Sequence, residues 1–354
     1  MLKGKISLWN RSGIFSSMLA LLLCIAMCFE CVPFYTVAAE ETEETGTYKT
    51  KAISWLVGEK DDVSGWGDTD LINDTANALT ILGREGKPTD STFLEKWKGS
   101  HKDMNTDEMV HIARAEYMSA DSKEAESLLS DIMSRQNPDG GFGLTEEYES
   151  DVYDTVLALS AVCAQAVATP TDATADYSNA AGDAAFYLAG KQKSDGGYAY
   201  TDASDSSPYL TAYAGMILSM CGCDDLPAWT ALDAYCQDRF TGELSEDTFA
   251  EQAVLAMYMY RRELIQDADA FEEKLHSVQG SDGSVYGDIT DTIWYILLLD
   301  EIDSYHTLRL SITNVETETD TYVLEAGETQ SLSLHTDISY DTNQNVTMNV
   351  RYTI

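Results

Sequence analysis

The segment Gln136-Asn-Pro-Asp-Gly-Gly-Phe-Gly143 is repeated twice further along the chain. Gln192-Lys-Ser-Asp-Gly-Gly-Tyr198 and Gln279-Gly-Ser-Asp-Gly-Ser-Val-Tyr286 keep the Gln four residues before the Gly of the Asp-Gly pair, and Ser64-Gly-Trp-Gly67 is a shorter copy. These pairs favour tight turns in which glycine adopts a positive φ, and the following aromatic residue is an apolar anchor. Such self-similarity predicts repeated structural units. The expected turn residues are Gln136, Gly140, Phe142, Gln192, Gly196, Tyr198, Gln279, Gly283 and Tyr286.

The residues around these turns indicate six units, each a helix, a turn and a second helix. The six turns lie near Gly65, between Gly99 and Asn105, and near Gly140, Gly196, Gly242 and Gly283, and the second and fifth are degenerate. First helices are amphipathic, whereas second helices such as Val156–Val162 and Ile293–Leu299 are apolar nearly all round and therefore buried on all sides. This alternation predicts an all-α fold, an (α/α)6 toroid of six helical hairpins over residues 50–302, and Leu157, Leu218 and Leu297 are expected to be fully buried. An open superhelix of hairpins is the alternative.

The two ends of the chain differ from this helical part. Residues 1–39 combine basic residues, an apolar run and small residues before Glu40, which is typical of a cleaved signal peptide, although the long apolar run also fits an uncleaved anchor. Residues 40–49 are predicted to form an acidic linker with nothing to bury. Over residues 303–354 apolar and polar residues alternate, at Leu308, Leu310 and Ile312, then at Leu332 and Leu334, and again from Val346 to Ile354. That period predicts a small β-rich segment.

Composition limits the classes of partner. The chain has 22 Lys and Arg against 60 Asp and Glu, a net charge of −38, which argues against nucleic acid or an anionic membrane surface. No second apolar stretch is long enough to span a membrane after signal removal. We therefore expect a secreted or extracellular-surface protein.

Four cysteines follow the signal segment, too few for a disulfide scaffold. Cys163 and Cys221 stand at similar depths on second helices expected to be neighbours, and Cys223 and Cys236 flank the connection into the fifth unit. One or two disulfides, or small buried thiols, are the open alternatives.

The Gln-x-x-x-Gly-x-aromatic turns followed by a buried helix resemble the repeats of the squalene–hopene cyclase and protein prenyltransferase superfamily. The resemblance covers about residues 50–302. It implies an (α/α)6 toroid whose second helices form the inner ring, with their N-terminal ends at the mouth of a central cavity. Toroids are also joined to a C-terminal β-domain in vitamin B12 carriers of the transcobalamin type, and the layout here is similar.

The catalytic motifs of those families are not matched. The cyclase motif Asp-x-Asp-Asp-Thr has its nearest copies in Asp151-Val-Tyr-Asp-Thr155 and Asp288-Ile-Thr-Asp-Thr292, where Tyr153 and Thr290 replace the middle acid. A phenol or an alcohol does not protonate an alkene as a carboxylic acid does. The zinc ligands of prenyltransferases and the Cys-Gly-Glu-Gln thioester motif are also missing, so neither a metal nor a cofactor is expected.

The Asp-Thr pairs at Asp74, Asp154 and Asp291 stand at starts of buried helices, so we interpret each Asp as a helix cap. Convergence of these carboxylates at a cavity mouth is the functional alternative. His111 is expected to be a hydrogen-bonded packing residue, and the aromatic residues of the second helices either fill the core or line a cavity. The candidate mouth residues are Asp74, Asp151, Tyr153, Asp154, Asp288 and Asp291, and the candidate cavity-lining residues are His111, Tyr213, Tyr258 and Trp294.

Two classes of function follow. The first is a non-catalytic protein of the cell exterior that binds a small molecule, a glycan or a surface protein through the toroid cavity or its rim. The second is a diverged enzyme, either an isoprenoid cyclase or transferase or a glycan-active enzyme with paired carboxylates. A carrier of the transcobalamin type is a further alternative.

Overall fold

The structure of the chain is a computed structural model that describes residues 43–67, 72–87, 91–119, 122–168, 174–223, 226–307, 310–317 and 334–340. The predicted signal segment lies outside the described residues. The chain divides into two compact parts, an N-terminal part, Met1–Glu301, and a C-terminal part, Ile302–Ile354. Within its described residues the N-terminal part is helical, in agreement with the predicted all-α class.

The described helices alternate between first and second helices of the predicted units, so the odd-numbered ones are first helices. They are α1 Glu43–Gly58, α2 Ile72–Arg84, α3 Ser91–Trp97, α4 Thr106–Met118, α5 Ser122–Ser134, α6 Val152–Ala168, α7 Thr174–Lys191, α8 Pro208–Met220, α9 Trp229–Arg239, α10 Phe249–Arg261, α11 Ala268–Ser277 and α12 Ile289–Thr307, with a 3₁₀ turn at His101–Asp103. The second helices α2, α4, α6, α8 and α10 pack in sequence order against one another, and first helices pack against them.

The core lies along the second helices. Leu157 and Leu218 are at most 2% exposed, as predicted, whereas Leu297 is partly exposed and that expectation was wrong. Leu297 lies three residues after Trp294, which is also partly exposed, so the two share one face of α12 that the neighbouring helices do not fully cover.

The predicted acidic linker at 40–49 was also wrong, because residues 43–49 belong to α1. The side chains of Tyr48 and Lys49 have partners that a linker lacks. Lys49 forms ion pairs with Glu85 and Asp300 at 2.8 and 2.7 Å, and the Tyr48 ring stacks on His276 with centroids 4.0 Å apart. The acidic composition suggested a solvated segment, but these contacts place it in the folded unit.

The repeated turns bind the first helix of the following unit. Each turn glutamine donates two hydrogen bonds through Nε2, one to the carbonyl of its own turn glycine and one to a carbonyl of the next first helix or its N-cap. The pairs of acceptors are Gly140 and Ala180 for Gln136, Gly196 and Ala228 for Gln192, and Gly283 and Tyr48 for Gln279. The acceptor for the sixth turn therefore lies in α1, the first helix of the chain.

The turn glycines are required by both backbone and space. Gly140, Gly196 and Gly283 have φ of +89°, +89° and +103°. A Cβ on any of them meets the backbone carbonyl of the next first helix closer than van der Waals contact allows. Only glycine permits this approach without strain.

Four of the turns are held to the second helix of their own unit by a threonine, which the sequence reading did not assign. The hydroxyls of Thr75, Thr155, Thr211 and Thr292, each the fourth residue of its helix, accept from the backbone N–H of Trp66, Phe142, Tyr198 and Val285 at 2.8–3.0 Å. In the fifth unit Gln252 occupies this position and accepts from Thr241 N–H. In the second unit the N-cap Asn105 forms a capping box with Glu108 instead.

The anchor of the sixth turn is Val285 and not Tyr286, so that prediction was wrong. Val285 is fully buried and stands two residues after the turn glycine, as Phe142 and Tyr198 do. Tyr286 has a left-handed backbone with φ of +55° and donates through its hydroxyl to Leu244 O at 3.1 Å. The spacing from the glycine, rather than aromatic character, selects the anchor.

In the C-terminal part of the chain, Ile302–Ile354, β1 (Leu310–Thr317) pairs antiparallel with β2 (Leu334–Tyr340). Leu310 lies opposite Tyr340, and the register is irregular between Ile312 and Asn314. These strands include the predicted strand residues Leu310, Ile312 and Leu334. Leu308, Leu332 and residues 346–354 lie outside the described residues.

A threonine substitution tests the turn contacts. Thr155→Val keeps the shape of the side chain but leaves the buried Phe142 N–H without an acceptor, and we expect a loss of about 1–3 kcal/mol in unfolding free energy. Thr155→Ser keeps the hydroxyl and should cost less. Urea unfolding of the three proteins decides the matter, and equal stability of the valine variant and the wild type would contradict the assigned role.

Candidate functional site

The second helices present polar and aromatic side chains at one end. In each second helix, the second residue and the residues four and seven positions after it lie on one helical face. Taken over the six second helices, these three positions define three layers. The first layer defined in this way contains Asn73, Asp107, Tyr153, Tyr209, Ala250 and Thr290; the second contains Asn77, His111, Leu157, Tyr213, Val254 and Trp294; and the third contains Thr80, Arg114, Ser160, Met216, Met257 and Leu297.

The carboxylate of Asp107 connects side chains of the first two layers by hydrogen bonds. Its carboxylate accepts from Asn73 Nδ2 at 2.7 Å, from His111 Nε2 at 3.1 Å and from the Tyr153 hydroxyl at 3.5 Å. Burial alone would raise the pKa of Asp107, but the hydrogen bonds from His111 and Asn73 and the charge of Arg114 hold it below its ordinary value. Asp107 is therefore ionised at neutral pH.

Tyr153 and Tyr209 lie near this carboxylate, and further aromatic rings pack against these two. Tyr209 and Tyr213 both pack edge-on against Trp294, with centroid distances of 5.9 and 6.3 Å. Tyr153 lies 6.0 Å from Tyr200, whose ring is 46% exposed. Burial, as the largest cause, raises the pKa of the Tyr153 and Tyr209 phenols above the ordinary value, so both remain protonated hydrogen-bond donors.

Some contacts join units that are not neighbours in the chain. Arg114 of the second unit donates to Ser160 of the third and lies 3.5 Å from the Tyr213 hydroxyl of the fourth. Tyr213 in turn contacts Trp294 of the sixth unit, and Thr290 of the sixth donates to Asp74 of the first at 3.2 Å. Residues far apart in sequence thus meet below and around Asp107.

Three polar atoms around Asp107 are buried and have no hydrogen-bond partner among the described residues: Asn73 Oδ1, His111 Nδ1 and Asp154 Oδ1. Two of these residues bond directly to Asp107. The pKa of the third, Asp154, is raised by burial, by Asp151 and by the charge of Asp107. A buried polar atom without a partner costs about 1–3 kcal/mol. Three such atoms in one cluster make this the candidate functional site.

The Asp-Thr pairs at Asp154 and Asp291 do not cap their helices as predicted. The caps are Asp151 and Asp288, whose carboxylates accept from the backbone N–H of Asp154 and Asp291 at 2.9 Å. Asp154 and Asp291 are the third residues of α6 and α12, inside the first turn, and are 4% and 8% exposed. The capping residues therefore lie three positions before the aspartates that we interpreted as caps.

These two buried carboxylates have raised pKa values. Burial is the largest cause in both. Asp151 and Asp107 add to it and raise the pKa of Asp154 to about 8, while Asp288 and Glu246 help to raise that of Asp291 to about 6. Asp154 is therefore protonated over a range in which an ordinary aspartate is charged.

Of the predicted cavity-lining residues, His111, Tyr213 and Trp294 belong to the cluster and Tyr258 does not. Tyr258 is fully buried and donates to Asp233 of α9 at 2.5 Å, because it lies one position beyond the face that carries Val254 and Met257. The sequence reading missed Asn73, Asp107, Arg114 and Tyr209. Counting positions from each helix start would have found them.

Other surface features lack such a cluster. A groove of about 500 Å³ is lined by Tyr48, Asp269, Glu272, Glu273, His276 and Ser277, and one of about 120 Å³ by Val63, Ser64, Ile72, Thr75, Phe93, Lys96 and Trp97. Within the described ranges, no three metal-ligating side chains come together. No helix in that part of the chain is long and apolar enough to cross a membrane.

Cys163 and Cys221 form a disulfide between α6 and α8 with Cα atoms 6.1 Å apart, which confirms the first predicted pair. Cys223 and Cys236 are not joined by a disulfide, so of the open alternatives the described residues contain one bridge. Cys236 is fully buried, and burial raises the pKa of its thiol above the ordinary value.

The raised pKa of Asp154 predicts a pH-dependent stability. The native state holds a proton that the unfolded chain, with an aspartate pKa of 3.8, releases, so unfolding free energy should fall as pH rises from about 4 to about 8. Asp154→Asn removes this contribution, and its stability relative to wild type should increase over that range. Urea unfolding at several pH values measures the difference, with exposed Asp183→Asn as the control. Parallel profiles for wild type and Asp154→Asn would contradict the assignment.

Comparison with known proteins adds information on the fold. No protein-family model matches the chain, and no curated protein is similar to it. Among solved structures, the crystal structure of a protein from Actinoplanes is similar with a TM-score of 0.53 and 13% sequence identity, over 73% of this chain and 99% of that one. At this identity the similarity shows a shared fold alone.

Proposed function

We propose that this protein is a binding protein of the cell exterior, built on an (α/α)6 toroid, which takes a small polar organic molecule where its second helices begin. The observation that carries the proposal is the group of three unpartnered buried polar atoms around Asp107, flanked by aromatic rings. Ligand sites commonly combine apolar walls with a few convergent polar groups. Secretion is proposed from the signal-like N-terminal sequence.

Ring closure is supported by contacts between the ends of the helical repeat. Gln279 of the sixth turn donates to Tyr48 O of α1 at 2.9 Å, just as Gln136 donates to Ala180 O of the next unit. The Thr290–Asp74 hydrogen bond also joins the sixth unit to the first. In an open superhelix these two units would be far apart.

The contacts across units suggest the shape of the site. Arg114, Tyr213 and Trp294 come from the second, fourth and sixth units and approach one another in the second and third layers. In a toroid they would close the centre and form a floor. The site would then be a pocket above this floor, lined by the first layer and His111, and suited to a small molecule rather than a long polyene.

A ligand panel tests the binding function. Thermal unfolding would be followed with individual amines, sugars and carboxylic acids at millimolar concentration. Because a ligand that binds only the native state stabilises it, we expect at least one compound to raise the Tm of the wild type by a few degrees. Trp294→Ala should lose this shift, whereas Phe186→Ala, which removes a ring that is 68% exposed on α7, should keep it. A panel in which no compound distinguishes wild type from Trp294→Ala would contradict the proposal.

A second candidate function, an acid–base enzyme, is favoured by the Asp107–His111 pair. A carboxylate that accepts from one ring nitrogen leaves the other as a potential general base, and Nδ1 of His111 has no hydrogen-bond partner among the described residues. The discriminating experiment incubates each compound found by the panel with wild type and His111→Gln and follows its chemical conversion. Conversion by wild type and not by His111→Gln would favour the enzyme; binding without conversion favours the binding protein.

A further inference from the structure

The unpartnered atoms of Asn73 and His111 are hydrogen-bond acceptors, which restricts the class of ligand that the Asp107 site can bind. Asn73 donates through Nδ2 to Asp107, so its amide orientation is fixed and Oδ1 is the unpartnered atom. The reverse orientation would place the amide oxygen against a carboxylate oxygen and is unfavourable. Asn73 Oδ1 is an acceptor only.

His111 offers a second acceptor. Ionised Asp107 can only accept, so the proton of a neutral His111 lies on Nε2, 3.1 Å from Asp107 Oδ1. The lone pair then lies on Nδ1, which is buried and has no hydrogen-bond partner in the described part of the chain.

The unpartnered atoms of Asn73 and neutral His111 are thus both acceptors. Two nearby donors face other groups, because the Tyr153 hydroxyl faces Asp107, and Arg114 faces Ser160 and the Tyr213 hydroxyl. A ligand that complements the site must bring N–H or O–H groups of its own. A ligand that only accepts hydrogen bonds would leave Asn73 Oδ1 and His111 Nδ1 unpartnered, at the cost of their desolvation.

Charge and aromatic geometry favour a cationic donor over a neutral one. Asp107 is ionised, and Asp74 is a further carboxylate on the first turn of α2. Two arginines oppose this charge: Arg114 lies seven residues further along α4, about 10 Å along the helix axis from Asp107, and Arg135 interacts with Asp154. The rings of Tyr209, Tyr213 and Trp294 offer π faces and edges within one cluster, and such rings attract ammonium groups.

We infer that the Asp107 site binds an organic amine, with its protonated nitrogen donating to Asp107 and to the acceptors of Asn73 and His111, and its carbon body against the rings of Tyr209 and Trp294. The inference rests on the proposed binding function and names its ligand class. The net charge of −38 raises the local concentration of such cations around the protein.

Matched probes that differ in one positive charge test the inference. The first pair is glucosamine and N-acetylglucosamine; the second is Nα-acetyl-lysine methylamide and its Nε-acetylated form. Isothermal titration calorimetry with the full mature chain measures each affinity. We expect at least one amine to bind tenfold or more tightly than its acetylated partner, because only the amine forms a charged hydrogen bond with Asp107.

Two variants locate the binding. Asp107→Asn keeps the size of the side chain and removes its charge, and should weaken amine binding at least tenfold while Asp183→Asn leaves it unchanged. Trp294→Leu, which keeps Asp107, should weaken it several-fold and serves if Asp107→Asn does not fold.

Each other outcome overturns the inference. If the acetylated probes or neutral sugars bind as tightly as the amines and lose affinity in Trp294→Leu, the binding function stands and the amine class is wrong. Amine binding that survives both Asp107→Asn and Trp294→Leu would place the ligand elsewhere. If no probe binds and the wider panel also fails, both proposals are rejected.

Discussion

The helical repeat depends on the close approach of each turn to the first helix of the next unit. At Gly140, Gly196 and Gly283 the backbone touches that helix so closely that any side chain would collide with its carbonyl oxygens. The glutamine of each turn stabilises this contact by donating one hydrogen bond to the carbonyl of its own turn glycine and one to a carbonyl of the next first helix or its N-cap. The constraint is local, but its repetition sets the spacing of all the helices.

The candidate site follows from that spacing. Because a threonine or Gln252 ties each of five turns to the fourth residue of its second helix, these helices begin at equivalent points relative to their turns. Equivalent positions then carry different side chains, such as Asp107 in the second unit and Tyr209 in the fourth. The repeat supplies the geometry, and the positions that differ between units supply the chemistry.

Much of the fold was predictable from sequence, because glycine and glutamine at fixed spacing report a backbone requirement that few other residues meet. The anchor Val285 was missed because an aromatic residue stands next to it. The beginning of α1, residues 43–49, was missed because its composition is acidic although Tyr48 and Lys49 have partners. The site was harder to predict. Asp107 and Asn73 lie in separate units without a shared motif, and their meeting depends on tertiary packing. The cap assignment failed by three residues because Asp151 and Asp154 are both plausible caps in sequence.

Hydrogen–deuterium exchange of wild type and Gly283→Ala tests the central claim, that the sixth turn holds the first helix. A side chain at position 283 collides with Lys51 O, so exchange should rise in peptides covering residues 43–58, more than 200 residues earlier in the chain. Gly182→Ala, in open space on α7, should leave those peptides unchanged. A rise confined to the turn around residue 283, with residues 43–58 as protected as in wild type, would contradict the account.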